Sequence, residues 1–155
     1  MTHATGGLAE HFGAFSTRDE NGNLKPEEFQ SELEVIEQAG KTRKIVLIKG
    51  WPGDETQWKE GFKERTRDQK LDILKERLEF SLAVFLITAQ ENYYFGYSWG
   101  YGIDDGWLEE FDELKRPLGP PEGPAIKNGW IYTRQFEHAS VWVDIENEKA
   151  KIDWH

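Results

Sequence analysis

Cysteine is absent from this chain of 155 residues, and methionine occurs once. Without cysteine the fold can contain no disulfide framework, no thiolate metal site and no cysteine nucleophile, and it is compatible with either redox compartment. No apolar run approaches the roughly 18 residues of a membrane span, and residues 1–7 lack the basic and apolar regions of a signal peptide. We therefore expect a soluble protein, and its compartment stays open.

Basic side chains are outnumbered by acidic ones. The chain has 19 Lys and Arg against 29 Asp and Glu, a formal net charge of −10. Phosphate binding needs clustered basic side chains, so we expect neither nucleic acid nor a membrane as a partner. The four histidines lack the spacing of metal ligands, and the chain contains no Gly-rich phosphate loop and no Ser nucleophile elbow. The sequence thus predicts no metal and no cofactor.

Strand-like and helix-like segments alternate through the first two thirds of the chain. Apolar and β-branched runs predict strands at residues 6–12, 44–49 and 93–98. Helical spacing of apolar residues predicts helices at 26–40, with Gly40 as the cap, and at 69–90. Part of the apolar run at 82–87 could instead be a strand. The β-α-β-α-β order predicts an α/β fold with a parallel sheet.

The last third has a different character. Residues 109–128 are acidic and then rich in Pro and Gly, which predicts an arm or linker. Residues 129–136 and 141–145 predict a β-hairpin with its turn at 137–140, and residues 149–154 predict a third strand. We expect one α/β domain: a barrel-like part at 1–108, the arm at 109–128 and a hairpin extension at 129–155. A closed eight-unit barrel needs about 250 residues, so the chain is either a different small fold or part of a barrel.

Several segments resemble a known group of enzymes. The run from Arg134 to Asp144 is similar to the Arg-x-Phe-x-x-Gly-x-Val-x-Val-Asn pattern that closes several glycoside hydrolase families with a (β/α)8 (TIM) barrel. Ala139 stands where Gly is usual, and Asp144 stands where Asn is usual. The segment at 118–121 resembles their Leu-Gly-x-Pro segment, and the stretch at 7–12 resembles a strand that presents a Glu at the active-site face. The resemblance implies a partial TIM-barrel unit, matching only the last three barrel units, and action on a carbohydrate.

Glycoside hydrolysis uses two carboxyl groups that face each other across the scissile bond. Glu10 is the candidate catalytic carboxylate, as acid/base or nucleophile, because its apolar neighbours can desolvate it. It could instead be a buried Glu paired with Lys49 or Arg134, or a solvated loop carboxylate. The candidates for the second carboxylate are Asp54, Glu55, Asp104 and Asp105. Asp104 and Asp105 also fit a turn, and Asp54 fits a helix entry.

Aromatic residues near the strand ends are the candidate sugar platforms. The chain has seven Trp, nine Phe and five Tyr, several of them beside Gly or in polar turns. The predicted substrate-binding residues are His11, Lys49, Trp51, Tyr97, Trp99 and Tyr101. Trp99 is the strongest of these, because Ser98 and Gly100 leave a ring face open. Each aromatic could also be packed at a helix–sheet boundary.

Three functions remain compatible with these residues. The first is a glycoside hydrolase acting through Glu10, and the second is a non-catalytic carbohydrate-binding protein using the same aromatics. The third is an assembly protein whose open sheet pairs with another copy, so that we expect a homo-oligomer. The residues specify neither the sugar nor the stereochemical outcome.

Overall fold

The computed structural model describes residues 4–155, which form two sheets joined by helices. The first sheet is parallel, with strand order β1-β2-β3, and the second is antiparallel, with order β4-β5-β6-β7. The predicted α/β fold with a C-terminal hairpin is confirmed, and the strands at 4–155 do not close into a barrel. The elements are β1 (Gly6–Phe12), α1 (Pro26–Lys41), β2 (Ile45–Gly50), α2 (Arg67–Thr88), β3 (Tyr93–Tyr97), β4 (Ile126–Asn128), β5 (Ile131–Phe136), β6 (Ala139–Asp144) and β7 (Lys149–Trp154).

The two long helices begin and end near the predicted residues. Pro26 occupies the first turn of α1, but Gly40 lies inside the helix, which ends at Lys41. The predicted glycine cap is therefore wrong, and the Thr42 amide instead bonds to the carbonyls of the last turn. Helix α2 begins at a capping box, in which Thr66 and Gln69 satisfy each other's backbone amides.

The antiparallel sheet extends the predicted hairpin on both sides. Strands β5 and β6 pair from Phe136 and Ala139 outward, so the turn has two residues rather than the expected four. The predicted third strand forms as β7. Strand β4 was not expected, because a strand of three residues within a Pro- and Gly-rich arm is too short to show an alternation of apolar and polar side chains. The rest of the arm includes a short 3-10 turn at Asp112–Lys115.

Helix α2 holds the two sheets together. Its second half is apolar around its whole circumference and buried, and it packs against β2 on one side and against β6 and β7 on the other. One hydrophobic core therefore runs through both sheets. Arg134 of β5 caps the end of this helix, since its Nη1 donates to the carbonyl oxygens of Leu86 at 2.8 Å and Ala89 at 2.6 Å.

No helix within residues 4–155 is long and apolar enough to cross a bilayer. Residues 1–3, part of the segment in which a signal peptide was not expected, lie outside the described range.

Candidate carbohydrate site

The carboxyl ends of the three parallel strands bring five of the predicted site residues together. Parallel strands end at the same edge of their sheet, and this edge is where α/β proteins place their ligands. The indole Nε1 of Trp51 donates to the backbone carbonyl of Glu10 at 2.8 Å. The hydroxyl of Tyr101 lies 3.2 Å from Nε2 of His11. Lys49 lies beneath Trp51, with its Nζ 3.2 Å from a ring centroid of the indole.

Glu10 and His11 lie in an irregular part of the sheet. The pairing of β1 with β2 is regular from Gly6 to Ala9 and shifts before Phe12. Such bulges turn side chains out of the regular alternation and are frequent beside active sites. Both Glu10 and His11 are exposed to solvent. Glu10 is thus neither a buried carboxylate nor a partner of Arg134, which bonds to backbone carbonyls.

Lys49 is a buried cation at the base of the site. It is 3% exposed, and its Nζ donates to the carbonyl oxygen of Ser98 at 3.0 Å. Burial lowers the pKa of Lys49 to about 7, while the carboxylates of Asp105 and Glu10 act in the opposite direction. Lys49 therefore contributes a charge that varies near neutral pH, and it lies too deep to touch a bound sugar directly.

Four aromatic rings form a cluster beside Glu10, which we call the aromatic cluster: Phe15, Trp51, Trp58 and Tyr101. Trp58 lies 5.6 Å from Phe15, 5.7 Å from Trp51 and 5.5 Å from Tyr101 between ring centroids. Trp58 is 49% exposed, and Phe15 and Tyr101 are each 42% exposed. Trp51 is 3% exposed and forms the floor of the cluster. Rings held in place by one another, with faces open to water, suit the apolar face of a pyranose.

Tyr101 links this cluster to the catalytic candidate. Partial desolvation, together with the Glu10 carboxylate nearby, raises the pKa of the Tyr101 hydroxyl to about 12. The hydroxyl therefore stays protonated at neutral pH and can donate a hydrogen bond to Glu10, His11 or a sugar oxygen.

Two of the predicted platforms lie in the hydrophobic core instead. Trp99 is 2% exposed and packs against Phe62, and Tyr97 is 4% exposed and donates its hydroxyl to the carbonyl of Leu74. The small neighbours of Trp99 do not open a ring face, because the Gly106 backbone approaches this indole closely. Neither ring can stack on a sugar at the sheet edge unless the core opens.

Three exposed aromatics at this edge were not predicted: Phe15, Trp58 and Trp107. Trp107 is 39% exposed, and Lys49 Nζ lies 5.0 Å from its ring centroid. All three follow or lie within polar, glycine-containing segments, where a large aromatic has no obvious core to fill. The unusual placement of these aromatics is visible in the sequence. Their position at the site is not, because the tertiary fold brings these segments to the sheet edge.

The candidates for the second carboxylate differ in their ion pairs and hydrogen bonds. Asp54 and Glu55 both bind Lys59, and Glu55 also binds Arg65 at 2.9 Å. Asp54 is thus part of a loop ion-pair network and not of a helix entry. Asp105 accepts from the Gly102 amide at 2.6 Å, which agrees with the predicted turn, and it faces Lys49. Asp105 and Glu10 are therefore the two carboxylates whose negative charges act on the Lys49 ammonium group.

A model of one protein family matches residues 1–140, described as hypothetical glycosyl hydrolase family 15. The chain belongs to this family. The match to hypothetical glycosyl hydrolase family 15 spans the whole parallel sheet and every site residue discussed above, and it ends within β6. Membership supports a glycoside hydrolase-like protein that interacts with carbohydrate, as the sequence predicted. Among curated proteins, no sequence matches the chain.

A cavity of about 250 Å³ adjoins the site on the side of Trp51 that faces α2. Its charged lining includes Arg18 and Arg77, which are already paired, Arg18 with Glu148 and Arg77 with Asp54. Within residues 4–155, no group of three or more His, Asp or Glu side chains is arranged to hold a metal ion.

Proposed function

We propose that this chain is a glycoside hydrolase-like protein that binds an oligosaccharide or polysaccharide at the carboxyl edge of its parallel sheet. The observation that carries the proposal is the exposed Glu10 beside a cluster of half-exposed aromatic rings. In this proposal Trp58 and Tyr101 stack on the sugar, and Trp107 borders it. His11 and Tyr101 bond to its hydroxyl groups.

Glu10 is the proposed catalytic carboxylate, and Asp105 is its proposed partner. Asp105 accepts a hydrogen bond from the Gly102 amide, which holds its carboxylate in place, while the solvent-exposed Glu10 can reach a bound substrate. Lys49 is a positioning residue in this scheme, because its buried charge lies close to both carboxylates. We also propose that the parallel sheet corresponds to part of a (β/α)8 barrel.

The sugar-binding part of the proposal is tested by titrating a panel of oligosaccharides and following binding calorimetrically. Trp58→Ala removes an exposed ring and should weaken binding about 5- to 30-fold, since one stacked aromatic contributes on the order of 1–2 kcal/mol. Trp142→Ala is the matched control, because Trp142 lies on the outward side of β6, away from the site. Equal affinity of the folded Trp58→Ala protein would refute the stacking role.

A non-catalytic carbohydrate-binding protein is the second candidate. It is favoured by the ion pairs of Asp54 and Glu55, which occupy two of the four candidates for the second carboxylate. This candidate predicts sugar binding that survives Glu10→Gln, with no bond cleavage by either protein. The proposed partner in both cases is a carbohydrate, and the net charge of −10 argues against nucleic acid and anionic membranes. We also propose that the chain acts as a homo-oligomer, because the outer edges of β1 and β3 pair with no strand among residues 4–155.

A further inference from the structure

Phe15 has an unusual backbone conformation for a large residue at the surface. Its φ is +51°, which lies in the left-handed region that favours glycine, and the residue is 42% exposed. A bulky side chain is sterically disfavoured in this region, so the surrounding structure must hold it there. Strain of this kind concentrates at active sites and ligand-binding sites, and Phe15 lies in the aromatic cluster beside Glu10.

This conformation places the Phe15 ring nearly perpendicular to the floor of the aromatic cluster. Its centroid lies 4.6 Å from that of the His11 ring and 5.5 Å from that of the Trp51 ring. The Phe15 ring makes an angle of 84° with the Trp51 ring, and the Tyr101 ring makes an angle of 80° with it. Because Trp51 is the floor, Phe15 and Tyr101 form walls above it. The position of Phe15 therefore limits the room for a sugar above Trp51.

The loop that carries Phe15 borders a cavity. Gly13 and Arg18, on either side of Phe15 in the sequence, line the cavity of about 250 Å³ that extends to α2. A loop over a cavity gains fewer van der Waals contacts than a loop on a packed core. The position of this loop therefore depends more strongly on its polar contacts.

Arg18 supplies the main polar contacts of the loop. Its side chain is 5% exposed, and its Nε donates to the carbonyl oxygen of Gly13 at 2.9 Å. Its Nη1 donates to the carbonyl oxygen of Gly22 at 2.7 Å. The backbone amide of Arg18 donates to the carbonyl oxygen of Phe15 at 2.9 Å. Arg18 thus binds the chain before Phe15, at Phe15 and after it.

Glu148 in turn fixes the guanidinium group of Arg18. Its carboxylate binds both Nη atoms, with Oε2 3.0 Å from Nη1, and a two-point pair of this kind fixes the plane of the guanidinium. Glu148 lies in the turn between β6 and β7, and it also has a left-handed backbone, with φ at +50°. The family match ends at residue 140, so Glu148 lies outside the matched segment. The C-terminal strands therefore anchor a loop of the site.

We propose that Phe15 contacts the bound sugar as a wall of the site, and that Arg18 and Glu148 are positioning residues that hold the Phe15 ring there. This inference deepens the proposed function and rests on it. Loss of the Glu148 carboxylate frees the guanidinium to turn, which weakens its bonds to the loop. Phe15 then relaxes from its strained conformation, its ring moves away from Trp51, and the sugar loses one of its contacts.

Calorimetric titration with hexasaccharides of glucose, xylose, mannose and N-acetylglucosamine tests this inference. For the hexasaccharide that the wild type binds most tightly, Phe15→Gly should weaken binding about 3- to 10-fold, because the ring is lost. Glu148→Gln should weaken binding about 2- to 10-fold in the wild type but less than about twofold in Phe15→Gly, which has no ring left to position. Asp153→Asn, which breaks the exposed pair with Lys151, is the matched control and should bind as the wild type does.

Two outcomes of these titrations would overturn the proposal. The first is an unchanged affinity of the folded Phe15→Gly protein. The second is a loss from Glu148→Gln that is as large in Phe15→Gly as in the wild type, because Glu148 would then not act through the Phe15 ring.

A readout without sugar separates the positioning role from the proposed function. Incorporation of para-fluorophenylalanine labels the nine Phe residues, and the fluorine resonance that is missing from Phe15→Gly belongs to Phe15. Glu148→Gln should shift this resonance, and Asp153→Asn should leave it in place. An unshifted resonance in Glu148→Gln would contradict the positioning role. If Glu148→Gln does not fold, Glu148→Asp replaces it, because its shorter side chain keeps the charge but not both contacts.

The two readouts fail separately. Sugar binding that Phe15→Gly does not change refutes only this inference. Absence of binding to every hexasaccharide refutes the proposed function and the sugar contact of Phe15, while the fluorine resonance still decides whether Arg18 and Glu148 position the ring.

Discussion

At the scale of single residues, Lys49 is the group whose burial has the most measurable consequence. An unfolded Lys keeps its proton up to its ordinary pKa of about 10.4, whereas burial lowers the folded pKa of Lys49 to about 7. Between these values the unfolded chain binds the extra proton, so Lys49 makes the free energy of unfolding rise with pH. Below pH 7 both states are protonated, and the full cost of the buried charge is present.

We therefore predict that Lys49→Met flattens the pH dependence of stability. From pH 7 to about 9.5 the wild type should gain roughly 1–3 kcal/mol relative to the variant, measured by urea unfolding at several pH values. Lys44→Met, one residue before β2 and outside the site, is a control that should follow the wild type. If the unfolding free energy of Lys49→Met changed with pH as steeply as that of the wild type, the lowered pKa of Lys49 would be contradicted.

The site residues show which parts of the function the sequence could predict. Glu10, His11, Lys49, Trp51 and Tyr101 were expected at the strand ends, and the fold brings them together because parallel strands share their carboxyl edge. The direction of a side chain depends on the local twist and on its neighbours, which is why Trp99 was expected at the surface and lies in the core.

At the scale of elements, the predictions were most accurate where the apolar period was strong. The β2 run and the long α2 stripe were located within two residues at each end, since burial on two sides leaves a continuous apolar signal. Strand β4 and the two-residue turn of the hairpin were missed. Their form depends on pairing with β5 and not on their own composition.

We predict that Arg134 contributes more to the free energy of unfolding than the N-terminal capping box of helix α2. Arg134→Met leaves the last carbonyls of the helix without their buried donor, which should cost about 2–4 kcal/mol of unfolding free energy. Thr66→Ala removes an exposed capping box and should cost about 1 kcal/mol. Urea unfolding of both variants compares them, and a larger loss for Thr66→Ala would contradict this ranking.

At the scale of the whole molecule, a partly buried ion pair connects the antiparallel sheet to the loop that follows β1. Arg18, in the loop after β1, bonds to Glu148 in the turn between β6 and β7, with Nη1 3.0 Å from Oε2. The Arg18 side chain is 5% exposed, and its remaining donors bind the carbonyls of Gly13 and Gly22. Removing the carboxylate leaves a buried cation without a counter-charge.

Glu148→Gln should therefore lower the free energy of unfolding by about 1–3 kcal/mol, the lower part of the range reflecting the partial exposure of Glu148. Asp153→Asn breaks the exposed pair with Lys151 and should cost less than about 1 kcal/mol. Equal effects in urea unfolding would mean that Arg18 does not link the two sheets energetically.

The measurement that tests the central claim most directly is the release of reducing sugar from a panel of polysaccharides by the wild type and by Glu10→Gln. The proposed function predicts release by the wild type and a loss of about 100-fold or more in the folded Glu10→Gln protein, with Asp153→Asn unchanged. Release at the wild-type rate by folded Glu10→Gln would contradict a catalytic role for Glu10. Absence of release from every polysaccharide would contradict the hydrolase and leave the carbohydrate-binding protein.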